Sequence, residues 1–327
     1  MINEATVQLA DRLRGLELHA AHSGREVLRV LKQVMDQSQK TKLFDLVEEM
    51  RENIRFLFPS LPPYAPPLNN INRILLILEK GLETGGSIVD VKRQIETLYK
   101  ENSSPQAIRE NIVESLMSVL PSQAVVYTHT LSETVLGALL DLHRNKRLKM
   151  VIVTESRPNN DGWDTARRLA EHNLTVQLTI DAAMPSAIEN AHLMLSGAEI
   201  VNPDGSVIGK VGAYPAAVLC QRYGKPVYIV ADSNKISNIP WSGFYLSQIT
   251  PVALGLDFSH LSLSVIGTYF DITPSNLIRA YVTEKGLITS NDIPRLVSGM
   301  QVSAWLTQVM NDKRKESMGL SIKGEKQ

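Results

Sequence analysis

The sequence predicts an α/β protein, with a helical N-terminal domain followed by a doubly wound, Rossmann-like parallel sheet domain. Three observations carry that expectation. Through the first 120 residues the apolar positions recur at helical spacing. At Pro121 the texture changes to short runs rich in Val, Ile and Leu, each too short for a helix. Those runs alternate with amphipathic stretches, which is the pattern of βαβ units. Right-handed crossovers between such units wind a sheet with helices on both faces.

In chain order, Leu9, Leu13, Leu16 and Leu18 begin an apolar stripe that Val27, Leu28, Val30, Leu31 and Val34 continue. Leu43, Leu46, Val47, Met50 and Ile54 form another, so helices are expected across 5–58. Five prolines within Pro59–Pro67 break them. A helix is then expected over Ile71–Leu82, ended by Gly85–Gly86, followed by helices over Asp90–Lys100 and Gln106–Val119. The strand runs are Ala124–Tyr127, Met150–Val153, Val176–Ile180, Leu193–Leu195 and Val227–Val230, all apolar enough to be buried on both faces. Helices are expected between them near 133–143, 162–172, 185–190 and 214–223. The chain thus divides into a helical domain over 1–120 and a sheet domain over 121–327.

Composition narrows the function. Lys+Arg and Asp+Glu both number 34, so the basic excess of a nucleic-acid binder is missing and no direct nucleic-acid contact is expected. No apolar run reaches the roughly 18 residues of a membrane span. The start, MINEATVQLADRLRG, lacks the charged and apolar regions of a signal peptide, so a soluble cytoplasmic protein is expected. The single cysteine, Cys220, forms no internal disulfide and reads as a small core residue within the 214–223 helix. The histidines show neither HxxxH nor HExxH spacing, so no metal and no cofactor are expected.

In open parallel sheets a ligand sits beyond the carboxyl ends of the strands. Here those ends read Thr128-His129-Thr130, Thr154-Glu155-Ser156-Arg157, Asp181, Ser196-Gly197-Ala198-Glu199 and Ala231-Asp232-Ser233. Any one of them reads equally well as a helix cap or turn; together they mark one polar edge. Ser132 opens the helix after the first strand, where free backbone N–H groups favour an anion. Lys210 lies in the glycine-bearing stretch Gly205–Gly212, as a point charge for phosphate or as a solvated loop lysine. Glu199 suits a general base or an acceptor for ligand hydroxyls. Glu155 and Arg157 are either ligand contacts or partners of each other.

Gly197-Ala198-Glu199 followed by Asp204-Gly205-Ser206-Val207-Ile208-Gly209-Lys210-Val211-Gly212-Ala213-Tyr214 resembles the GAD/GAE…NGxVxNKxGTY signature of one superfamily. It holds the regulatory α, β and δ subunits of initiation factor 2B, methylthioribose-1-phosphate isomerase and ribose-1,5-bisphosphate isomerase. Thr128-His129, Val153–Pro158, Asp181-Ala182-Ala183, Lys225–Ala231, Phe270–Pro274 and Thr283–Gly286 resemble its other motifs in the same order. The resemblance is close from about 120 to 290 and extends to the helical part only in texture.

The resemblance implies a phosphorylated small-molecule ligand, with Thr128, His129, Thr130, Ser132, Glu155, Arg157, Asp181, Glu199 and Lys210 as its contacts. It also implies a homo-oligomer associating through the C-terminal domain, with a protein partner in prospect. Tyr269, Phe270, Leu277 and Ile278 are expected to be exposed at the dimer contact. Four departures bear on catalysis. The isomerases carry a cysteine directly after Thr-His, where this chain has Thr130, and an aspartate where it has Glu199. Gly209 replaces an asparagine, and Tyr64–Pro67 stands where an arginine-bearing Arg-Pro-Thr turn belongs. A threonine hydroxyl cannot donate a proton as a thiol does near neutral pH. A glutamate shifts the carboxylate by one methylene, which matters for aligned proton transfer. The reading is a regulatory or binding protein of the initiation-factor-2B type. The alternative is a sugar-phosphate isomerase with Glu199 as base.

Overall fold

The structure, a computed structural model, describes residues 2–15, 17–62, 64–102, 105–239, 248–250, 252–255 and 261–317. Leu16 of the expected first stripe lies outside the described residues. The chain forms two compact units, one of residues 1–104 with 300–327 and the other of 105–299, where a boundary at 120 was expected.

The first unit opens with α1 (Glu4–Arg14), α2 (Ala20–Gln37), α3 (Leu43–Leu57), α4 (Ala65–Glu83) and α5 (Ile88–Glu101). The apolar stripes turn inward, and Leu9, Leu13, Val27, Leu31, Met50 and Ile54 are buried. Helix α4 starts at Ala65, before the expected Ile71, because Pro66 and Pro67 fall in its first turn. A missing N–H costs nothing there, and the fixed proline φ already suits a helix. Pro66 packs against α2 so closely that a Cβ at Gly24 would lie 2.5 Å from the proline Cβ.

The second unit begins with α6 (Pro105–Met117) and alternates β1 (Ala124–His129), α7 (Glu133–Arg144), β2 (Leu148–Thr154), α8 (Asp161–Ala170), β3 (Val176–Thr179), α9 (Met184–Glu189) and β4 (Leu193–Ser196). After β5 (Ile200–Val201) and β6 (Val207–Lys210) come α10 (Ala213–Arg222), β7 (Val227–Val230), β8 (Phe270–Thr273), β9 (Ala280–Thr283), β10 (Gly286–Ile288) and α11 (Ile293–Ser298). The main sheet runs β10-β9-β7-β4-β1-β2-β3, parallel except for the β9–β10 pair. Its parallel strands thus follow the doubly wound dinucleotide-fold order, which reverses between β1 and β4. Alternate side chains serve the two faces. Val126, Val151, Leu195 and Val230 join α6 and α7 on one face; Tyr127, Ile152, Met194 and Ile229 join α9 and α10 on the other.

Three expectations are corrected. β3 is an edge strand with Leu178 exposed, because among the described residues no strand continues the sheet beyond it. Lys210 ends a strand rather than lying in a loop: β5, β6 and β8 form a small antiparallel sheet in which Lys210 pairs with Phe270. That pairing buries Phe270, and Ile278 sinks into the core beneath β9, so neither is exposed; Tyr269 and Leu277 are half-buried.

The chain then returns to the first unit as α12 (Ala304–Ser317). Asn72 donates to the Gln301 carbonyl (2.9 Å) and accepts the Ser303 N–H (2.8 Å). Trp305 lies beneath the guanidinium groups of Arg51 and Arg55, 5.7 and 5.3 Å from its ring. No helix among the described residues is long and apolar enough to cross a membrane.

Candidate functional site

The carboxyl ends of β1, β2, β4 and β7 meet at the edge where the strand order reverses. Ser132 caps α7, its hydroxyl accepting the Val135 N–H at 3.4 Å. It faces Gly197 at the tip of β4, where a Cβ would come within 2.5 Å of the Ser132 oxygen. A glycine is therefore required for the two tips to approach.

His129 ends β1 facing inward, only 2% exposed. Its Nε2–H donates to the Val211 carbonyl (2.8 Å), and Nδ1 accepts from the Thr154 hydroxyl (2.6 Å). The Tyr127 hydroxyl adjoins Thr154 at 3.1 Å. Burial holds the imidazole below the ordinary histidine range, and the bond to Val211 opposes this only in part. The ring is therefore neutral, and Asp181, 3.9 Å from Nδ1, is not its ion-pair partner. With both nitrogens engaged, His129 joins β1 to the loop after β6. Thr128, also 2% exposed, stays within the strand.

Thr130 follows in the left-handed region, with φ 64°. That conformation is unfavourable for a β-branched residue. The Thr165 hydroxyl steadies it by donating to the Thr130 carbonyl (2.9 Å). The Thr130 hydroxyl points to Asp161 Oδ2 at 3.4 Å, and Lys210 Nζ lies 3.0 Å from the same oxygen. Asp181 accepts the N–H groups of Ser156 (2.9 Å) and Arg157 (2.8 Å), shaping the loop after β2. Arg157 is exposed and Glu155 half-buried, and they form no salt bridge with each other.

Glu199 follows the tip of β4, and its N–H donates to the Ile208 carbonyl (2.9 Å). Its side chain is half-buried, and Oε2 is buried without a hydrogen-bond partner among the described residues. A carboxylate oxygen so placed is ready to accept a ligand hydroxyl or a proton.

Lys235 escaped the sequence reading, whereas Asp232, Asp271 and Glu284 lay in stretches already singled out but with no role assigned to them. Lys235, 5% exposed, donates to the Ala198 carbonyl (2.5 Å) beside Glu199. Asp232, whose carboxyl is pushed up by burial, caps the turn through the Asn234 N–H (3.1 Å). Glu284 receives the Ser233 N–H (2.9 Å). Asp271 accepts the N–H groups of Gly212 (2.8 Å) and Tyr214 (3.0 Å) at the start of α10, while its buried Oδ1 has no hydrogen-bond partner among the described residues. The lysine in Asp-Ser-Asn-Lys and the acid opening α8 each resemble an ordinary turn or cap, so neither stood out in the sequence. Among the described residues no group of three or more His, Cys, Asp or Glu is arranged to hold a metal ion.

The model of the initiation factor 2 subunit family matches residues 18–290. A putative translation initiation factor eIF-2B subunit 2-like protein of Pyrococcus horikoshii is 25% identical over 278 residues, covering 85% of this chain and 92% of that one. A ribose 1,5-bisphosphate isomerase of Methanocaldococcus jannaschii is 24% identical over 282 residues, covering 85% and 89%. Among solved structures, the tetrameric eIF2B-beta2-delta2 complex from C. thermophilum superposes with a TM-score of 0.73 at 17% identity, covering 90% of this chain and 93% of that one, and so shares its fold. With the family model spanning most of its length, this chain belongs to the initiation factor 2 subunit family.

Proposed function

We propose that this protein is a cytoplasmic binding or regulatory protein of the initiation-factor-2B type. It holds a phosphorylated, hydroxyl-rich small molecule at the carboxyl edge of its sheet without isomerising it. One observation carries the reading: Thr130, where the family's isomerases have a cysteine, directs its hydroxyl at Asp161. The crevice keeps groups suited to holding a sugar phosphate, namely Lys210, the α7 start at Ser132, and the carboxylates Glu155, Asp181 and Glu199. It lacks a thiol to move a proton. Homo-oligomerisation, or association with a protein partner, fits the reading; the C. thermophilum relative is a tetrameric complex.

A panel of phosphorylated pentoses and nucleotides, followed by thermal shift, tests the binding, because a ligand selective for the folded state raises its melting temperature. Turnover is assayed in parallel with methylthioribose 1-phosphate and ribose 1,5-bisphosphate, and neither is expected to isomerise. Conversion of either would favour the second reading, an isomerase with Glu199 as base. The buried, unpartnered Oε2 of Glu199 favours that alternative.

A further inference from the structure

Lys210, the cation best placed for a phosphate, is already paired. Its side chain is 15% exposed, and its Nζ lies 3.0 Å from Asp161 Oδ2. Among the described residues Asp161 is the only carboxylate within ion-pair distance of it. The Phe270 and Tyr269 rings flank the ammonium at 5.7 and 5.8 Å. The Thr130 hydroxyl approaches the same carboxylate oxygen.

The position of Asp161 is tightly held. Ser156 and Asn160, in the loop that delivers it, have φ of 63° and 60°, and Thr130 opposite has 64°. Left-handed backbone at such residues persists only where its surroundings over-determine it. Gly162 then seats α8 on the tip of β2 so closely that a Cβ would lie 1.8 Å from the Thr154 carbonyl oxygen. The carboxylate is thereby fixed beside Lys210 at the mouth of the crevice.

We infer that Asp161 is a built-in counter-ion, occupying at Lys210 the place of the ligand's phosphate and setting the crevice's affinity for anions. The inference rests on the sugar-phosphate reading above. An incoming phosphate exchanges one anion for another at Lys210, so it gains only the difference between them. The ligand-free site is self-neutralised, and it fills when ligand is abundant. If Asp161 served instead to orient Lys210 for the ligand, removing it would weaken binding. The two roles therefore predict opposite signs.

The test is calorimetric titration of the full chain and its variants with ribose 5-phosphate and inorganic phosphate, alongside ligand-free melting of each protein. Asp161→Asn should bind ribose 5-phosphate at least about tenfold more tightly than wild type, the scale of one charge-assisted hydrogen bond. Its affinity should also fall more steeply with salt. Asp161→Glu, which keeps the charge, should stay near wild type, and Lys210→Ala added to Asp161→Asn should abolish the gain. Asp161→Ser carries the same expectation as Asp161→Asn and replaces it should that variant not fold. Equal or weaker binding by the neutral variants, with wild type still binding, overturns the counter-ion and leaves the ligand reading standing. Failure of wild type and every folded variant to bind either probe overturns both.

Discussion

Replacing Gly212 by alanine strikes the contact on which the β1 tip rests. Gly212 has φ 106°, and a Cβ there would lie 2.4 Å from His129 Nε2 and 2.7 Å from Cε1. Comfortable contact needs about 3.5 Å, so the ring must withdraw by about 1 Å. It is fixed at both ends, by Thr154 at 2.6 Å and by the Val211 carbonyl at 2.8 Å. Losing those two bonds costs about 0.5–1.5 kcal/mol each. Left-handed backbone costs alanine about 1–2 kcal/mol more. The stiffer unfolded chain returns about 0.4–1 kcal/mol. The net loss is about 1–5 kcal/mol. Gly224 supplies the control, since its φ is 66° but no atom lies within 4 Å of where a Cβ would sit. Gly224→Ala therefore carries backbone strain alone, about 1–2 kcal/mol before the same unfolded-state offset. Urea denaturation of both variants measures the difference. Equal losses would refute the argument that His129 anchors the crevice through Gly212.

Lys210→Ala should weaken binding of a phosphorylated pentose at least about tenfold by calorimetry; unchanged affinity would place the phosphate elsewhere. Burial pushes the Asp271 carboxyl up to about 6 from 3.8, outweighing the Tyr214 and Gly212 N–H groups that favour its charged form. The folded state therefore holds a proton that the unfolded chain has released between those values. The resulting stabilisation is full below pH 3.8 and lost as pH rises through about 6. Wild-type stability relative to Asp271→Asn should fall by up to about 3 kcal/mol over that window, and a difference independent of pH in denaturant titrations would contradict this. Asn72→Ala removes both bonds to 301–303, at a cost of about 1–3 kcal/mol. It should speed amide exchange across 304–312 selectively, whereas unchanged exchange would mean that those bonds do not hold α12.

Features that depend on near neighbours along the chain are legible without the fold. Helical spacing at Leu9, Leu13, Val27 and Leu31 specified helices, because one buried face requires that period. Short Val-, Ile- and Leu-rich runs specified strands at Ala124, Leu193 and Val227, since a run buried on both faces needs no alternation. The strand-end motifs also located the candidate crevice, because a parallel sheet gathers those ends at one edge. Pairings between distant residues emerged only on folding. Lys210 became a strand residue through Phe270, and β3 became an edge because no later strand among the described residues lies beyond it. The partners of His129 and Lys210, Val211 and Asp161, were equally hidden. Register and proximity of this kind arise when separate elements share one core, and no local pattern encodes which polar tips will then lie within hydrogen-bonding reach of one another.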